Sequence, residues 1–231
     1  MTPSQADSFT RLGYLRLEGF HSRKLVGGIR QKVVAELKRL GISADGQRLP
    51  KSLKDIPIFQ QIGRLSSLVR VPGLHQALVT PALLDCVARL GGQEPSDIQE
   101  TQLLLSPAHQ AAWSLKALNW HVDVAGRNRL PGIQAFFLID DVAPHGGATL
   151  ALAGSHRAGG SRAGAAPSVR DILKSSADVE RDLRGLDVNI VEMSGFAGDV
   201  FLMDMRVLHT PSVNATKSVR MMATSRCFLG P

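Results

Sequence analysis

Trp120-His121-Val122-Asp123 is answered 86 residues after the aspartate by His209 and then by Arg220, and this spacing constrains the fold more than any other feature. Residues two apart on a strand face the same way. An extended segment 118–124 therefore puts His121 and Asp123 on one face and turns Val122 away. Two imidazoles and one carboxylate suit a mononuclear non-haem Fe(II) site with open coordination positions. A third ligand so distant in sequence has to arrive on another strand, and the long gap fits a closed β-structure better than a local metal loop. An arginine soon after the last histidine can clamp the carboxylate of an organic acid with a bidentate pair. An isolated His-x-Asp is common in solvated loops, so the weight falls on what surrounds it.

The surroundings read as helices first and strands after. Gly13 to Gly19 alternates polar and apolar residues, which predicts a strand following a short helix. Ser22 caps a helix running to Leu40, on which Val26, Ile29, Val33, Leu37 and Leu40 step by three and four, and Gly41 stops it. Residues 42–70 show no assignable pattern. Thr80-Pro81 opens a further helix that ends before Gly91-Gly92. Strands are then predicted at 101–105, 118–124, 133–139, 149–153, 199–209 and 219–229, with a helix near 168–184. On 199–209, Phe201, Met203, Met205, Val207 and His209 share one face. A lone histidine there is either a satisfied core residue or a ligand, and the upstream His-x-Asp favours the ligand. On the last strand Arg220, Met222, Thr224 and Arg226 share a face. An inward Arg220 is a costly buried charge unless paired, whereas an outward one is an ordinary surface arginine.

The expected organisation is one domain over 1–231, with mostly helical support over 1–95 and a β core over 96–231. The Gly- and Ala-rich segment 157–187 carries an apolar edge of Val169, Ile172, Leu173 and Leu183. It is read either as a lid that closes over substrate or as a surface insertion. The chain's 231 residues, 44% of them hydrophobic, suffice for one sizeable core. A net charge of +7 without a block of consecutive Lys and Arg fits ordinary solubility. A basic surface also suits anionic partners, from nucleic acid to carboxylated metabolites; without a basic block nucleic acid is the less favoured of these, and a small, anionic substrate stays open. Cys86 and Cys227 form no CxxC pattern and read as free thiols. No apolar run approaches the roughly 18 residues that span a bilayer, and the start lacks a signal layout. The expectation is a cytoplasmic protein without a membrane partner.

The chain resembles the phytanoyl-CoA dioxygenase family of Fe(II)/2-oxoglutarate oxygenases over most of its length, most strongly from residue 100 onward. The residues that carry the resemblance are Phe9 to Gly13-Tyr14, the W-H-x-D at 120–123, Asp140-Asp141-Val142, Gly146-Gly147-Ala148, Gly154-Ser155-His156, and the closing series His209, Asn214, Thr216 and Arg220. The resemblance implies a mainly β fold with flanking helices, a double-stranded β-helix or jelly roll that holds the metal between two sheets. It implies His121, Asp123 and His209 as iron ligands and catalytic centre, and Arg220 as the residue that binds the distal carboxylate of 2-oxoglutarate. Gln102 and Phe136 fall where the family touches that co-substrate, and plain strand packing explains them equally well. One departure matters. The family usually has Ser two residues after the distal histidine, where this chain has Pro211, so Thr210 or Ser212 substitutes or the bond is absent.

The activity so implied is oxidation, with Fe(II), 2-oxoglutarate and dioxygen, of an unactivated C–H bond in a small metabolite or biosynthetic intermediate, releasing succinate and carbon dioxide. Hydroxylation is the usual outcome, with desaturation and epoxidation as variants. The retained Asp123 argues against halogenation, because related halogenases have a small residue at that place. Arg127, Asn128, Arg129, His156 and Arg157 are placed near the mouth of such a barrel, as substrate contacts or as a solvated rim. Two other readings stand beside this one. An AlkB-type nucleic-acid demethylase shares the His-x-Asp, the later histidine and the Arg220/Arg226 spacing, but an aromatic content of 5% offers little platform for a flipped base. A non-catalytic jelly-roll binding protein is disfavoured by the intact ligand set.

Overall fold

In the computed structural model, residues 1–43, 53, 56–108, 113–115, 118–124, 129–157 and 168–230 are described. Thr2 and Gln5 close a capping box and Pro3 fills the first turn, which starts α1 (Pro3–Leu12). Gly13 ends it at φ 78° and turns the chain into β1 (Tyr14–Leu17). The Ser22 hydroxyl accepts from the Leu25 amide and opens α2 (Arg23–Arg39). Then come α3 (Ile58–Leu68), α4 (Leu74–Leu78), α5 (Pro81–Gly91), β2 (Pro95–Ile98), β3 (Gln102–Ser106), β4 (Gly132–Leu138), β5 (Thr149–Ala153), α6 (Val169–Ser175), α7 (Val179–Arg184), β6 (Asn189–Glu192), β7 (Val200–Asp204), β8 (His209–Pro211) and β9 (Arg220–Leu229).

The strands form two antiparallel sheets. The larger runs β1-β7-β4-β9-β2, and β3 also pairs with β9, along Arg220–Thr224, while β2 takes Cys227–Leu229. The smaller runs β6-β5-β8. Side-chain alternation on β4 shows how the layers are divided. Ile133, Ala135 and Phe137 join Val33, Leu37, Leu78 and Leu83 in a core between the large sheet and the helices. Phe136 and Leu138 point the other way and meet Ala148, Ala151, Met193 and Val207 between the sheets. A third cluster, Leu152, Val169, Ile172, Leu183, Val188 and Leu208, joins α6 and α7 to the outside of the small sheet. The all-buried β4 is what a near-continuous apolar run dictates.

This is the mainly β, jelly-roll architecture that the sequence led us to expect, with four departures. First, the stretch 118–124 is not a regular strand and makes one isolated bridge, at His121. Second, 199–209 is not one strand. A turn at Met205 and Arg206 breaks it, held by the Arg206 guanidinium on the buried Asp204 carboxylate at 2.6 Å. β7 therefore lies in the large sheet and β8 in the small one, so the single face drawn from Phe201 to His209 does not exist. Third, the helix near 168–184 is two short helices, each opened by its own side-chain cap, Ser168 and Asp178. The apolar edge assigned to a lid is already spent, since Val169, Ile172 and Leu183 are buried against the small sheet. Residues 158–167 of that segment lie outside the described residues. Fourth, β2 (Pro95–Ile98), at the far edge of the large sheet from the expected β1, is a strand that the sequence pattern did not predict. No helix among the described residues is long and apolar enough to cross a membrane.

Asp199 fastens the first turn of the chain to β7. Its carboxylate is buried and accepts from Arg16 Nη2 at 2.7 Å, the Gly19 amide at 2.7 Å and the Phe196 amide at 2.9 Å. Burial pushes its pKa up, but the two amides and Arg16 outweigh that and leave it below the usual range. A depressed carboxylate contributes stability that is fully present above its unfolded pKa, about 3.9, and is lost as pH falls through the lower folded value. The Asp199→Asn variant is expected to be less stable by on the order of 2 kcal/mol at pH 7. The gap should shrink below about pH 4. Urea unfolding at both pH values checks this, and a gap independent of pH would contradict it.

Candidate active site

The bridge at His121 is made with His209. The His121 amide donates to the His209 carbonyl at 3.0 Å, and the His209 amide donates back at 2.9 Å. The amides of Asp123 and Val124 both donate to the Met205 carbonyl, at 3.1 and 3.2 Å. The motif is thus laid along the β7–β8 turn by backbone bonds, and no continuous ladder is needed. The two imidazole rings stand 4.3 Å apart between centroids.

Each ring is oriented by a carbonyl two residues earlier. His121 Nδ1 lies 2.9 Å from the Asn119 oxygen and His209 Nδ1 lies 3.1 Å from the Val207 oxygen. A carbonyl can only accept, so both Nδ1 atoms carry the proton and both Nε2 atoms present lone pairs. Burial pushes His209 down to about 4, against the pull of Asp123, which keeps the ring neutral near pH 7. Asp123 Oδ1 accepts from Arg226 Nη2 at 2.9 Å. Its Oδ2 is buried without a hydrogen-bond partner among the described residues and stands 3.7 Å from His209 Nε2. One ligand atom from each of His121, Asp123 and His209 falls within 4.8 Å of the others. A carboxylate oxygen facing imidazole lone pairs is unfavourable unless a cation sits between them. Two nitrogens and one carboxylate oxygen suit Fe(II) with open positions, so the residues present fit such an ion.

Arg220 is wholly buried. Its Nε donates to the Gly147 carbonyl at 2.8 Å and its Nη1 to the Leu104 carbonyl at 2.7 Å. No carboxylate pairs with it among the described residues, and burial pushes it down to about 9. A guanidinium held this way, with donors to spare, is built for an anionic ligand. The closing motif serves to set it. Asn214 Nδ2 donates to the carbonyls of Ser106 and Ser218, while its Oδ1 accepts from the Thr216 amide and hydroxyl. Gly147 adopts φ 78°, and a Cβ there would lie 2.7 Å from Asn214 Cβ, so the Gly-Gly turn has to be glycine at this place.

The remaining sequence candidates divide. Phe136 is buried between the sheets, edge-on to His209 at 6.2 Å between centroids. Gln102 shares the inward face of β3 with Leu104 but is exposed, lining an open cavity of about 520 Å³ with Arg70, His75 and Glu100. Ser155 of the G-S-H accepts from the Leu208 amide at 2.9 Å and so braces the residue before His209. His156 lies 3.0 Å from the Thr10 carbonyl and Arg157 pairs with Asp187, so neither is drawn to the metal ligands. Arg127 and Asn128 lie outside the described residues. Neither hydroxyl suggested as a substitute at Pro211 is free: Thr210 donates to the Pro211 carbonyl at 3.2 Å and Ser212 to Ala148 at 2.8 Å. The contact that sequence reasoning missed is Arg226 on Asp123. Period-two alternation puts Arg226 on the face of Arg220, but only the fold shows which carboxylate it meets.

A sequence-family model described as phytanoyl-CoA dioxygenase matches residues 9–222. No curated protein matches by sequence. Among solved structures, the chain is similar to the non-heme alpha ketoglutarate dependent carbocyclase SnoK from nogalamycin biosynthesis, at 18% identity and a TM-score of 0.63, covering 99% of this chain and 84% of that one. It is similar to EctD from S. alaskensis with bound Fe, at 21% identity and 0.61, covering 99% and 77%. It is also similar to EvdO2 from Micromonospora carbonacea var. aurantiaca complexed with 2-oxoglutarate, at 16% and 0.58, covering 99% and 91%. At these identities the likeness establishes the fold.

The geometry leads to one divalent ion per chain. Fe(II) under anaerobic conditions should raise the melting temperature of the wild type, because an ion that binds only the folded state stabilises it. His121→Ala and His209→Ala should lose most of that rise. A full metal-dependent rise in either variant would place the ion elsewhere.

Proposed function

The chain belongs to the phytanoyl-CoA dioxygenase family, and we propose that, as an Fe(II)/2-oxoglutarate-dependent enzyme of that family, it hydroxylates an unactivated C–H bond of a small metabolite or biosynthetic intermediate. The observation that carries this reading is the combination of three ligand atoms gathered within 4.8 Å of one another and a buried guanidinium that is held by two backbone carbonyls and paired with no carboxylate among the described residues. Fe(II), 2-oxoglutarate and dioxygen together supply an oxidant able to break such a bond, with succinate and carbon dioxide as co-products.

The chain's own part is to bind, orient and exclude. His121, Asp123 and His209 hold the iron, their Nε2 and Oδ2 atoms aimed by the carbonyls of Asn119 and Val207 and by Arg226. Arg226 donates to Oδ1, so Oδ2 is the oxygen of Asp123 that would hold the ion. Arg220 receives the distal carboxylate of 2-oxoglutarate as a charge-assisted pair. Phe136 and the apolar residues around it keep water from the buried side of the site. The carboxylate at position 123 supports hydroxylation over halogenation. That similar folds include a carbocyclase and an epimerase supports a reading in which the substrate, more than the ligand set, decides the outcome. Two free cysteines, Cys86 and Cys227, fit a cytoplasmic home.

The test is a screen of small-molecule substrates for 2-oxoglutarate-dependent succinate formation, with mass spectrometry for a product that has gained one oxygen atom from dioxygen. Removing half of a buried charge pair costs on the order of 3–5 kcal/mol. Arg220→Ala should therefore raise the apparent constant for 2-oxoglutarate by about two orders of magnitude or more. Arg220→Lys, which keeps the charge and loses the fork, should fall between. An unchanged constant in Arg220→Ala would move the clamp to another residue. Iron and 2-oxoglutarate binding without succinate under any condition would leave a binding protein in place of an enzyme.

A further inference from the structure

The hydroxyl that this family's pattern places two residues after the distal histidine is absent here, and the structure points to where its work has moved. Ser106, the last residue of β3, is completely buried, and its Oγ has no hydrogen-bond partner among the described residues. Buried hydroxyls are seldom left so, because the desolvation cost goes uncompensated. Three observations locate it. It stands directly opposite Arg220 in the β3–β9 register. A Cβ placed on Gly147 would lie 3.1 Å from its Oγ, and Gly147 is the residue whose carbonyl receives Arg220 Nε. Its own carbonyl receives Asn214 Nδ2 at 3.0 Å, so the strand end is fixed by the same side chain that shapes the turn before Arg220. Alternation puts Ser106 on the face of Leu104, which packs between the sheets.

We propose that Ser106 is a co-substrate-binding residue, whose hydroxyl donates to the same distal carboxylate that Arg220 clamps; this rests on the 2-oxoglutarate reading above. The carboxylate has two oxygens and several acceptor sites, enough for a guanidinium fork and one hydroxyl together. Thr210 and Ser212, the neighbours of Pro211, cannot serve, since both hydroxyls are committed to backbone carbonyls. Ser106 supplies the missing donor from the opposite side of the site, from β3 instead of β8. The arrangement also gives a role to the serine that follows Leu103-Leu104-Leu105 in β3, where alanine would pack without an unmet hydroxyl.

The experiment is calorimetric titration of the anaerobic Fe(II)-loaded protein with 2-oxoglutarate, beside thermal unfolding of the ligand-free protein. Ser106→Ala is expected to weaken 2-oxoglutarate about 10-fold or more, as for loss of a hydrogen bond to a charged group. It should leave Fe(II) affinity unchanged and ligand-free melting unchanged or slightly raised, because an unmet buried hydroxyl has been removed. Ser106→Cys, with a weaker donor of similar size, should lie between. Wild-type affinity in Ser106→Ala overturns the assignment while leaving the co-substrate reading intact. A loss of affinity matched by a lowered ligand-free melting temperature also overturns it, and makes Ser106 a packing residue. A wild type that binds no 2-oxoglutarate overturns the parent reading and this proposal together.

Discussion

Two backbone hydrogen bonds, exchanged between His121 and His209, hold the site together. They bring into register two segments separated by most of the β core, at a place where neither belongs to a long ladder. The bonds at Met205 extend the grip to Asp123, and the turn that presents Met205 is itself held by Arg206 on Asp204. Because the contacts are between main chains, the side chains are left free to aim inward. The ligand atoms are then placed by the rotameric freedom of three residues and the carbonyls that receive their Nδ1 protons.

Charge is distributed in the same economical way. Four buried or nearly buried charged groups of the described interior divide into two kinds. Asp199 is met by Arg16 and two amides, and Asp204 by Arg206. Asp123 is met on one oxygen only, and Arg220 by neutral carbonyls only. The first pair are structural and complete. The second pair leave a carboxylate oxygen and a guanidinium without an opposite charge from the described protein groups, which suits them to a cation and an anion respectively.

Much of this could be read from the sequence, for reasons that differ by element. β4, β5 and β9 are legible because burial on both faces or strict alternation leaves a strong period-two signal. The caps Ser22 and Thr80 are legible because side-chain oxygens compete locally for the first amides. The metal set was legible from residue types and from the resemblance, although the strand expected to carry His121 turned out to be a single bridge. The break at residues 205–207 was hidden because Met205 and Val207 continue the apolar alternation through a turn, and nothing short of three dimensions shows the chain changing sheets. α3 was missed because its neighbours in 42–57 blur the periodicity. Arg226 was on the correct face, but its partner, a carboxylate 103 positions away, is a property of the fold, and Ser106 lies one residue beyond the strand predicted at 101–105.

The most direct test of the account is an anaerobic crystal structure with Fe(II) and 2-oxoglutarate, using iron anomalous scattering to locate the ion. The account requires one anomalous peak in contact with Nε2 of His121, Nε2 of His209 and Oδ2 of Asp123, with Arg226 still on Oδ1 and a carboxylate of 2-oxoglutarate against Arg220. A peak bound elsewhere, or an Arg220 that remains on its two carbonyls with no anion beside it, would contradict it.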